Sequence, residues 1–367
     1  MEFDYLLKIL SMSMSMSLSM SKSIRERLDD ATAGRPVIKP VYAVYDWFVK
    51  NRPHVDWQSL FDLGLGQINH ANVVRHEHPN FELIEETREE NGVVRRDVRL
   101  VTDRGELHEW YAGEWLQEHF IKTPQDYRIM ARALEGVKVH TDNLAFEASE
   151  QKVGDGGITV GQLIGLGTGR TPLMVLQVDW VGLEQWSFDI ATELPEMMDL
   201  LEIMNGIKLE EIRAAATSSA EHIKLWENLS ISTMGPGLYR RHLVPLYRDI
   251  IEILDRQGKR LQVHYDGQLR AVADDIRGLG FDGIDSFTEA PEGDMTVAEA
   301  RDRWPDKFLW IHPNLGLYHN PKCLGANIRR IQLAAGNTRS CLMISEDIPP
   351  DWRQTVPLVL EAIEEME

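Results

Sequence analysis

What most constrains this chain is a repeat of shape rather than of letters. From Ser23 onward a short β-rich run gives way to a Gly, Pro or Asp turn, then to an amphipathic helix, and the cycle returns. The runs 37–44 (VIKPVYAV), 66–74 (GQINHANVV), 158–165 (ITVGQLIG), 222–228 (HIKLWEN), 260–266 (RLQVHYD), 283–289 (GIDSFTE), 308–313 (FLWIHP) and 341–347 (CLMISED) read as eight strands. Helical spacing marks 56–64, 196–217, 238–258, 268–279, 296–304, 321–335 and 353–366. The last five strands have continuous apolar centres and are separated by helices, as parallel strands covered on both faces are. Eight such units predict an α/β fold, a (β/α)8 TIM barrel, with function where the strands end. A doubly wound open sheet alternates in the same way, and pattern alone leaves it open. The stretch 81–115 breaks the cycle, alternating polar and apolar residues with turn signals at Asn91-Gly92 and Asp103-Arg104-Gly105. It is expected as an antiparallel β-hairpin or meander inserted after the second strand.

The chain has 367 residues, 43% of them hydrophobic, which suits one barrel domain spanning 21–367. A net charge of −19, from 39 Lys+Arg against 58 Asp+Glu, disfavours nucleic acid and anionic membranes as partners and leaves a small molecule. The two cysteines, Cys323 and Cys341, form no Cys-x-x-Cys. They exclude a disulfide framework, point to a reducing, cytoplasmic compartment, and are read as buried packing residues. No apolar run approaches the roughly 18 residues that span a bilayer. Residues 1–20 begin with acidic side chains and alternate Ser with Met, and no small-residue cleavage site follows. They are read as a tail or extraneous segment, not a signal peptide, with Met20 as a candidate start.

In a barrel the strand ends would gather His264 and Asp266, Trp226 and Glu227, Glu289, His312, and Glu346 with Asp347. Imidazole and carboxylate suit zinc and other divalent first-row ions, and one His with two carboxylates leaves an open position on a tetrahedral ion. Each residue also has a plainer reading. Carboxylates after a strand often cap the next helix, the reading preferred for Asp347 ahead of Pro349-Pro350. Tyr42, Tyr45, Trp226, Tyr265 and Trp310 lie near strand ends as candidate pocket walls, with half of them expected in the core. The run 165–170 (GLGTGR) fits neither dinucleotide nor P-loop spacing and reads as a tight turn, from which Arg170 could meet an anion. The histidine-rich run 69–78 (NHANVVRHEH) offers no i, i+4 pair with Glu and reads as a loop.

The phrases GPGLYRRHLVPLYRDIIEILDRQGKRLQVHYDG, LRAVADDIRGLGFDGID, EAPEGDMTVAEARDRWPDKFLWI and CLMISEDIPPDWRQTVPLVLEAIEE resemble the uroporphyrinogen decarboxylase superfamily. Weaker similarity runs back through PLMVLQVDWVGLEQWSFDIATELPEMMDLL to SIRERLDDATAGRP, covering nearly everything after Met20. That superfamily holds the decarboxylase of haem synthesis and zinc-dependent methyltransferases serving corrinoid proteins, coenzyme M and related thiols. The resemblance implies a (β/α)8 barrel. In the methyltransferase branch the fifth strand ends His-x-Cys-Gly, a second Cys ends the eighth strand before a phrase like DIPP, and these three hold zinc. The matching positions here are His264, Asp266 and Glu346, so both thiolates are replaced by carboxylates. What the resemblance implies is therefore zinc or another divalent ion on a harder ligand set, suited to oxygen or nitrogen substrates. The reaction implied is methyl transfer from a small O- or N-methylated compound to a corrinoid carried by a partner protein. Glu227, Glu289 and His312 would be its acid–base or supporting residues. The decarboxylase itself is the alternative; its arginine-rich N-terminal phrase has no counterpart near GRPVIKPVYAVYDWF. A non-catalytic, small-molecule-binding relative is the other.

Overall fold

The structure, a computed structural model, describes residues 22–165 and 167–366, so the expectation for residues 1–20 lies outside it. Eight strands form where the β-rich runs stand: β1 (Tyr42–Tyr45), β2 (Gly66–Asn72), β3 (Gly157–Gln162), β4 (His222–Leu225), β5 (Arg260–His264), β6 (Gly283–Phe287), β7 (Phe308–Ile311) and β8 (Ser340–Met343). Each pairs in parallel with the next, and β1 meets both β2 and β8. The pairs Tyr42↔Leu342 and Ala43↔Gly66 close the ring, which decides for the barrel against the open sheet. Every residue of β1, β4, β6, β7 and β8 is buried, as their near-continuous apolar runs require. Between β2 and β3 the backbones approach closely: a Cβ on Gly157 would stand 1.7 Å from the Gln67 carbonyl oxygen.

The observed strands stop short of the apolar runs. Glu227, Asp266, Glu289 and Glu346 lie beyond the last residues of β4, β5, β6 and β8, on the loops of the C-terminal mouth. Local chemistry starts the helices. Ser23 and Glu26 form a capping box at Ile24–Thr32, and Thr296 and Glu299 another at Val297–Arg303. The expected helix at 238–258 is interrupted by a π-helical turn at Tyr239–Leu243 before Val244–Asp255. Pro245 there has no N–H to return to Arg241.

The excursion between β2 and β3 is larger than the expected hairpin. Val74–Glu77 pairs antiparallel with Lys138–Thr141, and a four-stranded antiparallel sheet comprises Glu82–Glu90, Val93–Thr102, Gly105–Ala112 and Trp115–Glu118. Its first turn has Asn91 at φ 53° and Gly92 at φ 77°, the left-handed pair that an Asn-Gly hairpin turn uses. The histidine-rich run expected as a loop is largely strand: His70 lies in β2 and His76 in Val74–Glu77. Cys341 is buried in β8, but Cys323 is exposed, correcting its reading as a packing residue. Among the described residues no helix is long and apolar enough to cross a membrane.

Candidate active site at the barrel mouth

A (β/α)8 interior is ordinarily filled by layers of branched aliphatic side chains. The uppermost layer here is polar. Lys224 on β4, Asp285 on β6, Tyr45 on β1 and His264 on β5 touch one another although β1, β4 and β6 are not neighbours in the ring, so they meet across the barrel's inside. Asp285 is the hub. It lies 2.6 Å from Lys224 Nζ, 2.6 Å from His264 Nδ1, and accepts the Tyr45 hydroxyl proton. Its pKa is held well below the usual carboxylate range: burial opposes ionisation, but Lys224 and His264 outweigh it. The Lys224 ammonium lies 3.5 Å from the centre of the Trp226 ring and 4.4 Å from that of Tyr45, and its pKa is lowered by burial against the pull of Asp285. Lys224 also lies 3.3 Å from His70 Nε2, and His70 Nδ1 is 2.9 Å from Asp46. Burying this many charges costs stability that aliphatic side chains would not, which makes this layer a candidate functional site.

Hydrogen-bond accounting fixes the ring nitrogens. His264 Nδ1 donates to Asp285, leaving Nε2 toward Asp266, whose Oδ2 is 3.7 Å away. A carboxylate holding one imidazole nitrogen so that the other is aimed is the usual support behind a histidine ligand or base. Burial disfavours the His264 cation, yet Asp266 and Asp285 together raise its pKa. His312 Nε2 meets the Tyr45 oxygen at 3.3 Å; its Nδ1 is buried without a hydrogen-bond partner and lies 3.7 Å from Glu346 Oε1. Burial drives the His312 pKa down to about 3. Glu346 accepts a hydrogen bond from Ser286 Oγ at 3.0 Å, and burial pushes its pKa up to about 7, with His264 opposing and Asp266 and Asp285 adding. Ser286 has a φ of 62°, rare for a residue other than glycine, and sits where the β6–β7 register shifts. The irregularity re-aims its hydroxyl to Glu346, a use of strain typical of functional sites.

Above this layer opens a cavity of about 870 Å³, lined by Tyr45, Asp46, Trp226, His264, Asp266, His312 and Glu346 among others. The mouth therefore brings together His264, Asp266, Glu346 and His312. It does not include Glu227 or Glu289. Glu227 is fully buried and binds Thr171, accepting from its N–H at 3.2 Å and its hydroxyl at 2.8 Å. Glu289 pairs with Arg330 and accepts from Val297 N at the start of its helix, a capping role. Of the five aromatic candidates, Tyr45 and Trp226 line the cavity, while Tyr42, Tyr265 and Trp310 are core. Sequence reasoning passed over Asp285, Lys224, His70 and Ser286. The signal was present for two of them: a lone Lys in HIKL and a lone Asp in GID, charges inside runs that bury completely.

As a place for a divalent ion, the mouth has the right donors: an aimed imidazole, two carboxylates and an unpartnered His312 Nδ1. They are not drawn to one point, since among the described residues no three His, Cys, Asp or Glu side chains stand close enough to hold an ion. The side chains of Asp266 and Glu346 are 32% and 39% exposed, and closing the set takes their rotation. The donor types thus fit an ion, while their spacing in the structure is not that of a formed site.

No family model and no curated protein matches the chain. Among solved structures, a methyltransferase from Methanosarcina mazei superposes with a TM-score of 0.54 at 12% identity, covering 94% of this chain and 99% of that one. A B12-independent methionine synthase from Shewanella sp. W3-18-1 covers 85% of each chain at 9% identity, with a TM-score of 0.37. The likeness to the first is one of fold.

Proposed function

We propose that this barrel is a methyltransferase acting on a small O- or N-methylated molecule in the mouth, with zinc or another divalent ion held by His264, Asp266 and Glu346. The observation that carries the reading is the Asp285–His264 pair, which aims Nε2 at the cavity beside Asp266. The Methanosarcina methyltransferase fold agrees with it. A bound ion would supply Lewis acidity toward the heteroatom that bears the methyl group. The chain's own residues do the rest. Asp285 fixes the His264 tautomer, Trp226 and Tyr45 wall the substrate, and Glu346 serves as an ionised ligand. The acceptor in this reading is the Co(I) corrinoid of a separate protein: the methyl would pass to it, and the heteroatom would leave with its bonding pair and take a proton from water. The assay is methyl transfer to free Co(I) corrinoid, followed by its visible spectrum, with a panel of methoxy and methylamino compounds. Turnover by the wild type that His264→Ala abolishes supports the proposal. No turnover with any corrinoid or donor, in metal-loaded protein, overturns it.

A second reading rests on the spread of the four donors and on the raised Glu346 pKa. It is a metal-free acid–base site, the carboxy-lyase alternative, in which Glu346 moves the proton. Metal content separates the two.

A further inference from the structure

We propose that the mouth grips the carboxylate end of its substrate with Arg170, so that the substrate carries a carboxylate at one end and its reacting heteroatom at the other. The inference rests on the mouth being the active site, and it names the substrate class that this site takes.

Arg170 ends the glycine-rich run after β3. It is only 8% exposed, yet it lines the cavity, together with Thr168, Trp226 and Asn228. A guanidinium has five N–H donors and no acceptor. The ion pair that the structure gives it is Nη1 to Asp179 Oδ1 at 3.4 Å, and its Nε is buried with no hydrogen-bond partner. Asp179 is shared, since it also accepts the Thr168 hydroxyl at 2.5 Å. A buried arginine with donors left over is costly unless something supplies acceptors. A carboxylate supplies two in the matching planar geometry.

The arginine is also held in place on both sides. Trp226 N donates to Gly169 O at 3.3 Å, and Gly169 has a φ of 81°. A side chain there would press on Trp226 and the Leu163 carbonyl, each 3.3 Å from a Cβ. On the other side Glu227 binds the Thr171 N–H and hydroxyl. Glu227 thus acts as a positioning residue: it pins the residue next to Arg170 rather than touching the cavity. Asn228, the residue after Glu227, also lines the cavity, with its backbone at φ 50°.

Charge then sets the substrate's direction. Asp46, Asp266 and Glu346 also line the mouth and disfavour a free carboxylate beside them, while Lys50 is a second, exposed-rim cation on the lining that lacks the planar fork of Arg170. β3, which the Arg170 loop follows, lies opposite β7 in the ring of eight, and His312 follows β7. A carboxylate held at Arg170 leaves the far end of the molecule near His312, Glu346 and His264.

The test uses acetate and propionate as probes and acetamide and propionamide as uncharged controls, at constant ionic strength and in EDTA. Binding is read by tryptophan fluorescence, since Trp226 lines the cavity, and by thermal shift. The wild type should bind propionate saturably and the amide at least tenfold more weakly. Arg170→Gln should lose tenfold or more in carboxylate affinity, while Arg128→Gln, outside the mouth, should not. Arg170→Lys keeps the charge without the planar fork and should lose several-fold, which serves if the Gln variant folds poorly. Equal binding of acid and amide, wild-type affinity in both Arg170 variants, or no saturable carboxylate binding would each overturn the proposal. The titration omits metal and turnover, so its failure is distinct from failure of the methyl-transfer reading.

Discussion

Removing the Asp285 carboxylate should be among the most damaging single changes to the barrel, and pairing it with a second change should partly cancel the damage. Lys224 and Asp285 have 1% and 2% of their side-chain surface exposed and stand 2.6 Å apart. At an effective dielectric constant of about 20, two unit charges at that distance attract by about 6 kcal/mol, an upper figure before desolvation is subtracted. Breaking a buried pair from one side costs about 3–5 kcal/mol, because the other charge stays buried. Asp285→Ala also strips the acceptor from Tyr45 and from His264 Nδ1, so it belongs at the top of that range. Lys224→Met leaves Asp285 with His264 and Tyr45 and should cost less, about 2–3 kcal/mol. In the double variant neither charge is stranded, so its loss should fall about 2–3 kcal/mol short of the sum. Urea unfolding followed by tryptophan fluorescence measures all three, with Asp285→Asn as the milder variant if the alanine is too unstable. Losses that add to within about 0.5 kcal/mol would refute the idea that the two charges are held for each other.

Two further outcomes follow from burial. Glu109, 7% exposed in the excursion sheet, has its pKa pushed up to about 7 by burial against its Tyr111 hydrogen bond. The unfolded chain releases that proton near the ordinary glutamate value of about 4.3 and the folded chain only near 7. Wild-type stability should therefore fall as pH rises through that window, and Glu109→Gln should gain on it from near zero at pH 4 to at most about 3.6 kcal/mol at pH 8; parallel pH profiles would show the group is not buried as described. Gly157→Ala places a methyl group against the Gln67 carbonyl of β2 and should leave little soluble protein, with any that folds losing more than about 3 kcal/mol in thermal or urea unfolding.

Much of the barrel was legible because its strands are short apolar runs between helices, a period-based signal that needs no tertiary knowledge. The strand ends were legible only to within two or three residues. A run such as RLQVHYD looks apolar past the point where the ladder stops at His264, so Asp266 reads as strand when it belongs to a loop. The excursion was seen from its Asn-Gly turn, but its fourth strand, Trp115–Glu118, has no apolar alternation to announce it. The candidate site was half visible. His264, Asp266, His312 and Glu346 stand out as chemistry at strand ends, and the mouth gathers them. Asp285 and Lys224 showed only as lone charges in apolar runs; their pairing was hidden, because it depends on side chains of β4 and β6 meeting inside the barrel, not on spacing along the chain. Glu227 and Glu289 were misleading for the same reason: a carboxylate after a strand serves a neighbouring backbone as readily as a cavity, and only the fold decides which.

The central claim is that His264, Asp266 and Glu346 are ligands. The direct measurement is elemental analysis of protein purified without added metal, for the wild type and for Asp266→Ala and Glu346→Ala, with far-UV circular dichroism to show that each variant folds. The account predicts close to one equivalent of zinc or another divalent ion in the wild type and its loss in both variants. A wild type free of metal and unable to take up zinc, or variants that keep the full equivalent, would contradict it.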